Sequence, residues 1–156
     1  MARRVSPMRA VVVGVGNLLR TDDGVGIHVT KRLAELGVGV EVVDAAMGGV
    51  EILEVMRGRE LAIIVDAIET GAEPGTVFRV NLSRGELPPV ITHSHGADLV
   101  TTLRLGDQLY AGEMPHEVVL IAVEAEDTTT IGEETTPRVA AAIPEVINII
   151  RELAER

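Results

Sequence analysis

The chain has 156 residues, of which 24 are acidic and 14 basic, giving a net charge of −10; 46% are hydrophobic, and the mean hydropathy is +0.27. Such a chain is long and apolar enough to fold as one domain over 1–156, burying roughly 68–70% of its unfolded surface, which excludes intrinsic disorder. The acidic balance excludes nucleic acid as a partner. Aromatics to stack bases are nearly absent, and no cysteine is available for a disulfide, a thiolate metal site or a nucleophile.

Residues 1–9 form a basic lead-in. Arg3-Arg4 ahead of the apolar run has the outline of a twin-arginine signal. That run is broken by Gly14, Gly16 and Asn17, and Asp22-Asp23 follows with no small-residue cleavage site. Nothing approaches the ~20 apolar residues of a membrane span. A soluble, cytoplasmic protein without membrane insertion is expected.

The first strand is predicted over 10–15, a β-branched run closing in Gly14-Val15-Gly16, as parallel α/β sheets commonly begin. Asp22 or Asp23 is placed to cap a helix over 24–36, whose Val25, Val29, Leu33 and Leu36 share one face before Gly37 and Gly39 end it. A short strand over 40–44 and a helix over 50–57 come next. Residues 61–65 are the most apolar segment and read as a central strand ending at Asp66. A turn at Glu73-Pro74-Gly75 leads to an alternating edge strand over 77–81. Pro88-Pro89 opens an irregular connection to Thr92-His93-Ser94-His95-Gly96, followed by a helix over 97–105 and a last inner strand over 118–123. After a threonine-rich acidic loop over 124–136, the remainder reads as an amphipathic helix, kinked or restarted at Pro144. The order βαβαββαβα predicts an α/β three-layer sandwich, with a mostly parallel, twisted sheet of about five strands between helices.

Ligands of such sheets bind outside the carboxyl ends of the strands. Three metal-competent groups are expected there: Asp23 after the first strand, Asp66 after the third and His95 after the fourth. Two carboxylates and an imidazole leave coordination positions open, as a catalytic or ligand-exchanging site requires. Each has a plainer reading. Asp22 reads as a helix cap, Asp66 as the cap of a turn, and His93 with His95 as solvated loop residues. His28 and His116 read as structural, and Asp44 is a rival strand-end acid. The turn Gly14-Val15-Gly16 does not complete a dinucleotide fingerprint, because Leu19 occupies the third glycine position. No serine lies on a Gly-x-Ser-x-Gly elbow.

The stretch Gly14-Val15-Gly16-Asn17-Leu18-Leu19-Arg20-Thr21-Asp22-Asp23-Gly24-Val25-Gly26 resembles the signature of the hydrogenase maturation endopeptidases. The resemblance extends through Ile64-Val65-Asp66-Ala67-Ile68, Pro74-Gly75-Thr76 and His95 ahead of Leu103. It departs at Ala45-Ala46-Met47, where the family often has Gly-Gly-Thr, and at Ala125, where a proline commonly precedes the glutamate. The resemblance implies an endopeptidase that removes the C-terminal extension of a nickel–iron hydrogenase large-subunit precursor. It implies that Asp23, Asp66 and His95 bind nickel supplied by that precursor, with zinc or another divalent ion as a substitute, and take part in catalysis. The partner is then the precursor, and the protease itself is expected to be a monomer. A non-catalytic nickel-sensing chaperone of the precursor would use the same three residues. A zinc-dependent metallohydrolase and a nucleotide-binding module are the other readings.

Overall fold

Five strands share one sheet in the order β2-β1-β3-β5-β4. The structure, a computed structural model, describes residues 9–46, 49–89 and 96–156. The strands are β1 (Ala10–Val15), β2 (Glu41–Ala45), β3 (Leu61–Ile68), β4 (Val77–Asn81) and β5 (Glu117–Glu124). The helices are α1 (Val25–Glu35), α2 (Glu51–Met56), α3 (Gly96–Leu109) and α4 (Pro137–Ala154). Strands β1, β2, β3 and β5 run parallel, and β4 pairs antiparallel to β5 with Val80 opposite Leu120. The predicted α/β architecture and element order are both present.

Alternation along the inner strands explains the layers. Ala10 and Val12 of β1, with Ile63 and Val65 of β3, face α1 and α4 and pack on Val29, Leu33, Val146 and Ile150. Val11, Val13 and Val15, with Ala62, Ile64 and Ile68, face the other way, onto Ile52 and Met56 of α2 and Leu99 of α3. Both faces of β1 and β3 are therefore apolar, which is why these segments read as unbroken Val/Ile runs.

Several boundaries differ from expectation. Strand β3 runs on past Asp66 to Ile68, because all eight of its residues pair with β5. Helix α4 is continuous through Pro144. Its apolar face (Val139, Val146, Ile147, Ile150, Leu153) is buried on both sides of the proline, and that packing outweighs one lost backbone bond. A 3-10 turn over Thr21–Gly24 precedes α1. The N-cap of α1 is Gly24, with no side-chain cap bond, so neither Asp22 nor Asp23 caps it.

The glycines around that turn let backbone approach backbone. A Cβ on Gly26 would lie 2.3 Å from the Val65 carbonyl oxygen and 2.8 Å from that of Val15. The first turn of α1 is thereby pressed onto β1 and β3. Gly16 has φ +139°, and a Cβ there would meet the Asp23 carbonyl oxygen at 1.9 Å. The glycine pattern thus serves close packing of a turn onto the sheet edge.

Candidate active site

The turn between β1 and α1 is closed by its own polar groups. Asn17 donates its backbone N–H to Asp23 Oδ2 at 2.9 Å, and Leu19 donates its N–H to Asn17 Oδ1 at 2.9 Å. Asp23 is half-buried at the mouth of the turn. Thr21 adopts φ +53°, a conformation a β-branched residue rarely takes. It is held there because its N–H donates to the Gly132 carbonyl at 2.9 Å and its hydroxyl to the Thr130 carbonyl.

Asp22 has a different job from the expected helix cap. It is fully buried, and its carboxylate accepts four hydrogen bonds from the loop between β5 and α4. Oδ2 takes the N–H of Glu126 at 2.9 Å, the N–H of Asp127 at 3.0 Å and the Thr136 hydroxyl at 2.8 Å. Oδ1 takes the Thr136 N–H at 2.7 Å. Charge-assisted bonds to backbone donors compensate the cost of burying the charge. The effect is to fasten the loop over 125–136 to the turn that carries Asp23.

Asp66 lies inside β3, two positions before its last residue, and is 4% exposed. Its Oδ1 accepts the N–H of Ala67 at 2.8 Å. Strand alternation puts it on the face of Ala62, Ile64 and Ile68, toward α2 and α3. The 3-10 turn bearing Asp23 packs against β3, so the two carboxylates sit on contacting elements at the carboxyl edge of the parallel strands. Helix α3 leads into β5 and therefore begins at that same edge, on the face of Asp66. Its first residue is Gly96, next in the chain after His95. His95 and His93 themselves lie outside the described residues. Among the described residues, no three His, Cys, Asp or Glu side chains gather as a ready metal site. The donor chemistry of Asp23 and Asp66, two oxygens on separate elements, suits a divalent ion that completes its shell with other ligands.

Two further acids were not singled out from the sequence. Buried Glu124, at the end of β5, accepts the Thr70 N–H at 2.9 Å and the Thr70 hydroxyl. Glu69 accepts the Thr128 hydroxyl. With Glu126 and Asp127 they line an acidic cleft of about 590 Å³ beside the strand ends. Asp127 caps its own turn, and the Thr130 hydroxyl with the N–H groups of Thr130 and Thr129 draws its carboxyl down to about 2. The signal for this knot was the run of threonines and acids over 124–136, where short polar side chains can bind backbone groups locally. Of the other groups considered, Asp44 lies within β2 and accepts the Thr30 hydroxyl, and His28 Nε2 meets the Glu133 carbonyl at 2.7 Å. The expectation that His28 is structural agrees with that contact.

A family model described as hydrogenase maturation protease matches residues 27–153, a span that starts just after Asp23 and includes Asp66 and His95. The hydrogenase 2 maturation protease of Escherichia coli is 34% identical over 93% of this chain and 92% of its own. The solved structure of the hydrogenase maturating endopeptidase HybD from E. coli superposes with a TM-score of 0.73 at 29% identity, covering 92% of this chain and 90% of that one. A maturation protease structure from Thermococcus kodakarensis shares the fold at a TM-score of 0.77, with 24% identity over 94% of this chain and 99% of its own. No helix among the described residues is long and apolar enough to cross a membrane. The chain belongs to the hydrogenase maturation protease family and is a peptidase.

Proposed function

We propose that this protein removes the C-terminal extension of the large-subunit precursor of a nickel–iron hydrogenase after nickel insertion, gripping the precursor's nickel through Asp23, Asp66 and His95. The observation that carries the reading is the shared edge. The Asp23 turn packs on the strand holding Asp66, and α3, which leads into the parallel strand β5, starts at the same carboxyl edge of the sheet one residue after His95. Nickel belongs to the substrate here, so the protease contributes only part of the coordination shell. Two carboxylates and an imidazole bind it modestly alone, and the precursor's own ligands complete the grip. That division lets the protease tell a loaded precursor from an empty one. Zinc or another divalent ion fits the same donors.

Grip on the nickel through these residues holds the precursor's tail beside the acidic cleft. A water in that space attacks the scissile carbonyl carbon while Asp23 or Asp66 takes its proton. The proton passes to the leaving amine as the C–N bond breaks. The lack of cysteine in the chain suits work in the reducing cytoplasm.

The test is processing of a nickel-loaded precursor, followed by mass spectrometry, with Asp23→Asn, Asp66→Asn and His95→Ala. Each substitution is expected to slow cleavage by about a hundredfold or more. Normal rates in all three would remove the site assignment. Binding of the loaded precursor without any cleavage by the wild-type protein would favour the chaperone reading.

A further inference from the structure

Two large apolar side chains stand in solvent beside the Asp23 turn: Leu19 is 56% exposed and Ile131 87%. They are neighbours although 112 positions separate them in the chain. Arg20 and Gly132 form a parallel bridge, and Gly132 donates its N–H to the Leu19 carbonyl at 2.9 Å. Matching positions on parallel segments present their side chains to one side. The pair does not sit on a loose loop. Residues 125–136 have no regular secondary structure of their own, yet Asp22, Thr21 and Asp127 fix them by the hydrogen bonds given above. Loops of this length that are held rigid are commonly functional. A rigid, exposed aliphatic pair pays little ordering entropy on meeting a partner.

We propose that Leu19 and Ile131 form a ledge that docks an apolar segment of the precursor next to the bond to be cut. This rests on the proteolytic reading above. Charge defines the occupant further. The loop 125–136 carries Glu126, Asp127, Glu133 and Glu134 and no base. Arg20 across the bridge and Arg138, paired with Glu126 at 3.6 Å, offset two of these four charges, so the ledge has a net acidic rim. It fits an extended segment with one or two aliphatic side chains flanked by lysine or arginine. Docking at the ledge places that segment against the turn whose Asn17 N–H holds Asp23.

The test measures processing of the nickel-loaded large-subunit precursor by full-length Leu19→Ser, Ile131→Ser and the double variant. Leu109→Ser serves as the control, since Leu109 is 58% exposed at the far end of α3. For the two ledge residues, KM is expected to rise about tenfold singly and more in the double variant, with kcat within about twofold, as for an anchor lost from a docking surface. Ile131→Leu should keep the wild-type KM, and raising salt should increase KM through the acidic rim. A wild-type KM in the double variant, or an equal rise in Leu109→Ser, overturns the ledge and leaves the proteolytic reading standing. If the wild-type protein itself does not process the loaded precursor, that reading fails and the ledge with it.

Discussion

Replacing Asp22 by alanine should destabilise the protein far more than a single-residue change in a turn suggests. The carboxylate is fully buried and accepts three backbone N–H bonds and one hydroxyl. Each such bond to a charged acceptor contributes about 1.5–3 kcal/mol, and a donor left without an acceptor costs about 1–3 kcal/mol. The four are not additive, because water entering the vacated space can satisfy some donors and the loop can shift. A net loss of about 3–5 kcal/mol is therefore expected, at the upper end of what single substitutions do. For a chain of this length that lowers Tm by roughly 6–20 °C. Asp22→Asn separates charge from shape. Its amide oxygen can replace Oδ2, but its NH2 then faces the Thr136 N–H, donor against donor, so a loss of about 1.5–3 kcal/mol is expected. Urea unfolding at pH 7, with amide exchange read at Glu126, Asp127 and Thr136, measures both. If Asp22→Ala unfolds within about 0.5 kcal/mol of wild type, or those three amides keep their protection, the clamp described here does not exist.

Gly26→Ala places a methyl group on the carbonyls of Val65 and Val15. Backbone cannot step aside cheaply, so a loss of about 3 kcal/mol or more is expected, read as a large drop in Tm or as insoluble expression. Thr21→Gly removes the left-handed strain, worth about 1–2 kcal/mol, and also the Thr130 bond, worth about 1 kcal/mol. The extra freedom of the unfolded glycine offsets the remainder, and a thermal melt should show little change. Asp127 should titrate by carboxyl NMR with a midpoint near 2. Because its folded value lies below its unfolded one, it stabilises the loop fully above about pH 4, and that contribution fades as pH falls toward 2. A midpoint at the ordinary carboxylate value contradicts the Thr129–Thr130 turn.

Local pattern carried most of the architecture. Val11 to Val13 and Leu61 to Val65 are apolar on both faces because both faces are covered, and such runs have no other home in a chain of this size. Val77–Asn81 alternates because β4 is an edge strand. The errors fall where distant residues decide. Asp22 looked like a cap because a cap is what an acid before a helix usually is. Its partners are 104 to 114 positions away, beyond the reach of any window along the chain. Asp66 looked like the end of a strand because a charge breaks an apolar run, yet the ladder to β5 continues through it. That Asp23 and Asp66 lie toward the carboxyl ends of the first and third strands was legible from the element pattern. The way the β5–α4 loop is fastened to them was not, since nothing local couples Thr136 to Asp22.

Tying Asp22 to Thr136 has a consequence during synthesis. The first turn and the last loop make a single working edge only when residue 136 is available to fold back on residue 22. A ribosome-bound chain that has released β1, α1 and β3 already owns both acids but lacks the strap that sets them. The edge is therefore joined late and all at once, and a translation product that stops before residue 126 lacks every one of the loop donors that hold Asp22.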